Sequence, residues 1–347
     1  MRRITAVVRT LSFVGVVAAL LLAVAFGAPT GSSASASGPW SSAAHKATLT
    51  PVAGDSHYLV FASFDHGRLG HGQTRKHGSL IALTRSGHSR VVASITNFAY
   101  RFSISHAMVV YEQGLNKPSM HWINLASGRS GTFAPHLSDV AAPDGWFYLK
   151  FAHGYSQDAS EALYEHRLDV GNRRRLGTPI KRAHAANMSV GPNDIAIFQN
   201  APDEVFGKAT VMPFDHPGRF HTLIKRHRSS TSECLTLTAT HTLCSLSTAT
   251  TFRERLIDLV TGKTVIDLKP PRCGGDPVIL GETIAWVQDG CAHRLEYVTA
   301  SGHITTSKRV FAAHQSVTAL GGVVAPTRSL HHLVLFLGRG HSKEIAG

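Results

Sequence analysis

The chain has 347 residues, of which 43% are hydrophobic and 16% charged, and its formal net charge is +13. This composition is typical of a packed globular protein and excludes a largely disordered chain. The length alone allows two domains, and the positive charge favours a polyanionic partner.

The N-terminus resembles an export signal. Arg2 and Arg3 precede an uncharged apolar run from Leu11 to Phe26, and small residues suited to cleavage follow. This order is typical of a secretory signal peptide. We therefore interpret 1–36 as signal peptide and leader and 37–46 as a flexible linker. The alternative is an uncleaved anchor, because the apolar run is near the length that spans a bilayer.

From residue 47 to 347 the sequence repeats. Each unit has an apolar strand, a polar loop, a second apolar strand and a turn with glycine. Units of roughly 40–45 residues built from short strands are typical of propeller blades. The turn glycines are Gly87, Gly128, Gly171, Gly218, Gly262, Gly302 and Gly340.

The repeat predicts an all-β fold, a single seven-bladed β-propeller with four antiparallel strands per blade. The first strand should lie around Ala47–Ala53, with Gly128 and Gly262 in equivalent turns. Because the chain accommodates seven complete units, no blade needs to share a strand with another to close the ring.

Four cysteines allow three disulfide connectivities. Export favours disulfides over free thiols, and residues equally distant from a hairpin tip face each other across the two strands. Two pairs meet this condition, Cys234 with Cys244 about Ala239, and Cys273 with Cys291 about Glu282. We expect both disulfides to join the first two strands of their blades.

Two units carry a family resemblance. MVVYEQGLNKPSMHWINLASGRSGTF (108–133) and IAWVQDGCAHRLEYVTASGHITTSKRV (284–310) resemble the repeats of TolB-like propellers, a WD-repeat-like pattern at the level of fold. Similar units form stand-alone exported propellers and the propeller halves of prolyl oligopeptidase-like enzymes. The hydrolase half of such an enzyme needs a G-x-S-x-G motif, which this sequence lacks.

A second resemblance concerns LIDLVTGKTVI (256–266), which is similar to the docking motif of pyrroloquinoline quinone propellers. The sequence departs from the motif at Leu256 and Ile266 and matches it at four residues, Asp258, Thr261, Gly262 and Lys263. The same residues are also favourable in a tight turn. We expect no cofactor.

The loop after the second strand of unit one contains candidate metal ligands. Imidazoles at His66, His71 and His77 lie near Asp65, and histidines can converge on Zn²⁺, Cu²⁺ or Ni²⁺. Histidine is common throughout this chain, so we interpret the loop as solvated and expect no metal site.

Positive residues recur at the links between blades. In a propeller these links emerge on the same face as the loops between strands two and three. We predict a basic rim there, against the alternative that arginine and lysine are scattered over the whole surface. Its residues are Lys181, Arg182, Lys225, Arg226, Arg228, Arg272, Lys308 and Arg309.

These features predict a secreted, monomeric, non-enzymatic propeller that binds or scaffolds in the bacterial cell envelope. Its partner would be an anionic envelope polymer or another protein, since export argues against nucleic acid. The alternative is an exported lactonase, lyase or glycosidase with its site on the loop-rich face. The carboxylates available there are Asp65, Asp203, Glu204 and Asp289.

Overall fold

The structure is a computed structural model of the chain. It describes residues 47–70, 72, 74–151, 160–180, 186–199, 207–227, 231–247, 251–269, 273–312, 316–338 and 341–346. The predicted signal peptide, leader and linker lie outside these ranges. Among the residues that the structure describes, no helix has the length and apolar character needed to cross a bilayer.

The described residues form strands only, in seven sheets of four consecutive antiparallel strands. The first strands of neighbouring blades contact one another all the way around the ring. The predicted all-β, seven-bladed propeller with four antiparallel strands per blade is therefore confirmed. Its first strand, β1, covers Thr48–Gly54, as expected.

The strands of each blade follow in chain order. Blade 1 contains β1 Thr48–Gly54, β2 Tyr58–Phe64, β3 His77–Thr84 and β4 Ser89–Thr96. Blade 2 contains β5 Ala99–Ser105, β6 Met108–Gln113, β7 Ser119–Asn124 and β8 Ser130–Phe133. Blade 3 contains β9 Ser138–Ala142, β10 Gly145–Phe151, β11 Glu161–Arg167 and β12 Arg173–Ile180. Blade 4 contains β13 Ala186–Val190, β14 Asp194–Gln199, β15 Gly207–Pro213 and β16 His221–His227.

The remaining blades have the same organisation. Blade 5 contains β17 Thr231–Leu237, β18 His241–Ser247, β19 Phe252–Asp258 and β20 Thr264–Leu268. Blade 6 contains β21 Pro277–Leu280, β22 Thr283–Val287, β23 Arg294–Val298 and β24 Ile304–Val310. Blade 7 contains β25 Val317–Ala319, β26 Gly322–Pro326, β27 Leu333–Gly338 and β28 His341–Ala346.

Burial is highest in the second strand of a blade and lowest in the outermost strand. The second strands β2, β10 and β26 are buried along most of their length. Neighbouring blades cover both faces of these strands, so both sets of alternating side chains are apolar. The outermost strands β24 and β28 are largely exposed and carry polar side chains on the uncovered positions.

The turns between strands three and four have a common chemistry in blades 2 and 5. The side-chain oxygens of Asn124 and Asp258 accept backbone N–H groups two and three residues later, at 2.7–3.0 Å. Gly128 and Gly262 then adopt φ of 73° and 67°, a region that favours glycine. The two glycines occupy equivalent turns, as predicted. The segment around Asp258 that is similar to the quinone-propeller docking motif forms the turn of blade 5.

The ring closes without a shared strand, because blades 1 and 7 are each built from four consecutive strands. Two backbone hydrogen bonds cross the junction, from Leu49 N to Leu330 O at 2.7 Å and from Leu320 N to Asp55 O at 2.6 Å. Buried apolar side chains of both blades form one cluster there. Backbone hydrogen bonds and side-chain packing therefore both join the first and last blades.

Both predicted disulfides are present. Cys234 and Cys244 face each other directly in the β17–β18 register, with their Cα atoms 3.9 Å apart. Cys273 and Cys291 are also paired, with 5.9 Å between Cα atoms. Two disulfides fit an extracellular or periplasmic location.

The second disulfide lies beyond the strands that it was expected to join. Cys273 precedes β21 and Cys291 follows β22, because pairing between these strands begins only at Pro277 with Trp286. Gly275 allows the approach, since a Cβ there would lie 2.2 Å from Val287 O. The disulfide thus closes the open end of the hairpin.

Candidate functional site

The antiparallel order gives the propeller two distinct faces. Turns between strands one and two, and between strands three and four, lie on the hairpin face; in blade 4 these are residues 191–193 and 214–220. Loops between strands two and three, together with the links to the next blade, lie on the loop face. The loop after β2 in blade 1, residues 65–76, belongs to it.

The predicted basic rim is described in part. Lys308 and Arg309 are exposed near the loop-face end of β24, and Arg309 Nη2 lies 3.7 Å from Glu344 Oε2 of blade 7. For Lys225 and Arg226 the structure describes the backbone, which passes through the end of β16. The remaining predicted rim residues, Lys181, Arg182, Arg228 and Arg272, lie outside the described residues. The rim as a binding surface stays a prediction.

The candidate metal ligands of blade 1 that the structure describes are surface residues. His66 and His77 are exposed, and His71 lies outside the described residues. Within the described part of the chain, no three His, Cys, Asp or Glu side chains are grouped in a way that could hold a metal ion.

A cavity of about 830 Å³ opens on the hairpin face. It follows blades 4 and 5 and reaches the first turns of blades 2 and 3 at His106 and Pro143. We call it the hairpin-face cavity. The lining residues that matter for its chemistry are Asp194, Phe214, Asp215, His221, Leu259 and Val260.

Blade 4 brings the two carboxyl groups of the cavity together. Asp194 is the first residue of β14 and pairs with Pro213, the last residue of β15. Asp215 follows two residues later in the turn, and His221 begins β16. The start of the second strand and the end of the third are neighbours in an antiparallel sheet, which places these side chains at one edge.

Phe214 holds this turn against blade 3. Its backbone N–H donates to Asn193 O at 2.8 Å, and its ring stacks on Phe147 with 5.5 Å between centroids. The ring also lies 6.5 Å from the imidazole of His106. The cavity wall is therefore built on packed residues of three blades.

Asp194 has an unusual environment. Its relative exposure is 8%, and no hydrogen bond to its carboxylate occurs within the described ranges. Burial, and next the negative charge of Asp215, raise the pKa of Asp194 to about 6, while His221 opposes the shift. A carboxyl group with such a pKa in a cavity is a functional-site candidate.

Sequence reasoning did not select Asp194, Asp215 or His221. The signal was present in the repeat, because two acids follow the first and third strands of the same unit. Aspartate is also common in turns for purely structural reasons. The sequence pattern alone therefore does not separate a functional pair from ordinary turn residues, whereas the strand register and the burial of Asp194 do.

No protein-family model matches this chain, and no curated protein matches its sequence. Several solved structures are similar to it in fold. The β-propeller domain of the trilobed protease from Pyrococcus furiosus superposes with a TM-score of 0.56 at 9% identity, over 87% of this chain and 98% of that one. A prolyl endopeptidase structure gives a TM-score of 0.53 at 12% identity, over 85% of this chain and 47% of that one.

TolB from Acinetobacter baumannii is also similar, with a TM-score of 0.48 and 12% identity over 72% of this chain and 63% of that one. At such identities a likeness shows the fold alone. The structures with TM-scores of 0.56 and 0.53 confirm the propeller fold that the TolB-like resemblance implied. This chain spans about half of the prolyl endopeptidase.

Proposed function

We propose that this protein is a secreted, non-enzymatic propeller of the bacterial cell envelope that binds an anionic polymer along its basic rim. The observation that carries the proposal is the recurrence of lysine and arginine at the links of consecutive blades in a chain of net charge +13. Two disulfides and an export-like N-terminus support action outside the cytoplasm.

The fold makes such a rim effective. The fourth strand of each blade ends on the loop face. Cations at the ends of successive fourth strands therefore follow one another around the ring. Repeated positive charges attract a repeating anion such as a wall phosphate or an acidic glycan. Arginine can also grip a phosphate or carboxylate through two N–H groups at once.

The test is a binding measurement between the protein without residues 1–36 and two probes, poly(glycerol phosphate) and polygalacturonate. Affinity should fall as salt rises, because exposed charges are screened within about 8 Å at physiological ionic strength. The double variant Arg226→Ser/Arg228→Ser should bind more weakly, with a nearly unchanged thermal midpoint, since exposed charges contribute little to stability.

The matched control removes two arginines from the outermost strand of blade 3. Arg173 and Arg174 are exposed at the hairpin-face end of β12, so Arg173→Ser/Arg174→Ser changes the net charge equally at the opposite edge. Equal weakening by both double variants would contradict a specific rim and leave net charge as the explanation. Turnover of either polymer would instead favour the exported enzyme.

A further inference from the structure

The hairpin-face cavity has a charge opposite to that of the chain as a whole. The protein has a formal net charge of +13, yet the described lining contains the carboxyl groups of Asp194 and Asp215 and no lysine or arginine. Its volume of about 830 Å³ is within the range of small-molecule sites, about 300–1,000 Å³. A local negative potential inside a cationic protein selects for positive ligands.

The carboxylate of Asp194 accepts no hydrogen bond within the described residues, and the basic group that acts on its charge is the imidazole of His221. The residue as a whole is more than nine-tenths buried, and it lines the cavity. Burying an ionised carboxylate without a partner is unfavourable. A cation entering the cavity would supply the missing counter-charge and hydrogen-bond donors.

The remaining wall is apolar and aromatic. Phe214 and Leu259 line the same cavity as the carboxyl groups, and Val260 is 87% exposed at its rim.

 A phenyl face attracts cations, and the apolar residues favour a ligand with a hydrocarbon body. Because no group of three metal-binding side chains occurs among the described residues, the wall suits an organic cation better than a metal ion.

We propose that the hairpin-face cavity binds an organic ammonium or guanidinium group, held between Asp194 and Asp215, with its hydrocarbon stem against Phe214 and Val260. The site lies on the face opposite to the basic rim and does not depend on the rim binding a polymer. The same chemistry can come from a free amine or from a lysine or arginine side chain of a polypeptide.

Calorimetric titration of the protein without residues 1–36 tests the proposal. Phenethylamine is the free-amine probe, and 2-phenylethanol is its uncharged counterpart. A peptide Ala-Ala-Lys-Ala-Ala, compared with Ala-Ala-Gln-Ala-Ala, tests the side-chain source. We expect at least one cationic probe to bind about tenfold or more tightly than its neutral counterpart, since a charge-assisted contact in a buried site contributes at least this much.

Variants assign the binding to the cavity. Asp194→Asn and Asp215→Asn should each weaken binding of the cationic probe by about tenfold. Asp65→Asn removes an exposed carboxylate on the loop face and should leave binding unchanged. Asp215 is exposed in a turn, so its variant keeps the test valid if Asp194→Asn fails to fold.

The pH dependence gives an independent readout. Among the described residues, Asp215 and His221 act on the charge of Asp194, and His106 lines the same cavity. Lowering the pH from 7.5 to 5 should reduce affinity about tenfold or more, because Asp194 becomes protonated and loses the negative charge that attracts the ligand. Asp194→Asn should lessen this dependence.

Three results would overturn the proposal. The first is failure of both cationic probes to bind saturably, and the second is equal affinity for charged and neutral probes. The third is equal weakening by Asp65→Asn and Asp215→Asn. Binding by only the peptide or only the amine supports the site and identifies the source of its cation.

Discussion

Buried carboxyl groups in this propeller are held in different ways. Glu161, at the start of β11, accepts the backbone N–H of Ala186 from the neighbouring blade at 3.1–3.2 Å. Glu254 accepts the hydroxyl of Ser245 at 2.8–3.0 Å. Asp194 differs from both, because it lines a cavity and its carboxylate has no such donor within the described ranges. The first two arrangements stabilise packing between strands or blades, whereas the third leaves a site for a ligand.

Glu161 leads to a prediction about pH and stability. Burial raises its pKa to about 7, against a smaller opposite effect of the hydrogen bond from Ala186. The folded state therefore holds this proton more tightly than the unfolded chain. The resulting stability is fully present below the unfolded carboxyl pKa of about 4.3 and is lost as the pH rises through about 7.

Glu161→Gln removes this titration and keeps an oxygen that can accept the N–H of Ala186. Between pH 5 and pH 8 the unmodified protein should lose about 1–2 kcal/mol more of its free energy of unfolding than the variant. Urea denaturation at several pH values measures the difference, and Glu282→Gln, at an exposed turn, is the control. Equal pH dependence in the unmodified protein and Glu161→Gln would contradict the assignment.

At the scale of elements, the hairpins of blades 5 and 6 are cross-linked in different places. Cys234 and Cys244 lie within paired strands and are completely buried. Cys273 and Cys291 lie outside the paired part of their hairpin and are partly exposed. The first disulfide is part of the core between blades 4 and 5, while the second connects a link to a loop on the loop face.

We expect this difference to appear when each disulfide is removed. Loop closure predicts a cost of about 3 kcal/mol for either one. Cys234→Ala/Cys244→Ala should cost more than Cys273→Ala/Cys291→Ala, because only the first pair also leaves a cavity in the core. Urea denaturation compares the two double variants. A smaller loss of unfolding free energy for the buried pair would contradict this interpretation. Peptide mapping without reduction is a separate check of both pairings.

At the scale of the whole molecule, the junction between blades 1 and 7 depends on close packing. Gly54 ends β1 where β25 passes beside it, and a Cβ at this position would lie 2.2 Å from the Cβ of Ala319. The requirement for glycine comes from the neighbouring blade rather than from the local backbone, since Gly54 does not adopt a positive φ. Gly87 presents the opposite case, with a φ of 91° and open space around it.

Gly54→Ala should therefore weaken the junction by overpacking, at a cost of about 1–3 kcal/mol. Adding Ala319→Gly removes the facing methyl group and should restore part of the loss, so the two substitutions should not be additive. Thermal and urea denaturation measure this cycle. Gly87→Ala, which strains only its own turn, should cost about 1 kcal/mol and gain nothing from Ala319→Gly. Additive effects of Gly54→Ala and Ala319→Gly would show that the two blades do not meet as described.

The sequence by itself determined the number of blades, the four-strand unit, the equivalent turns at Gly128 and Gly262, and both disulfide pairings. These features depend on local periodicity, turn chemistry and distance from a hairpin tip, which a linear sequence records. Only the tertiary structure decided that Asp194 is buried in a cavity beside Asp215, that Gly54 must accommodate Ala319, and that Cys273 and Cys291 lie beyond their strands. Each of these depends on strand register or on packing between blades, where residues distant in the chain come into contact.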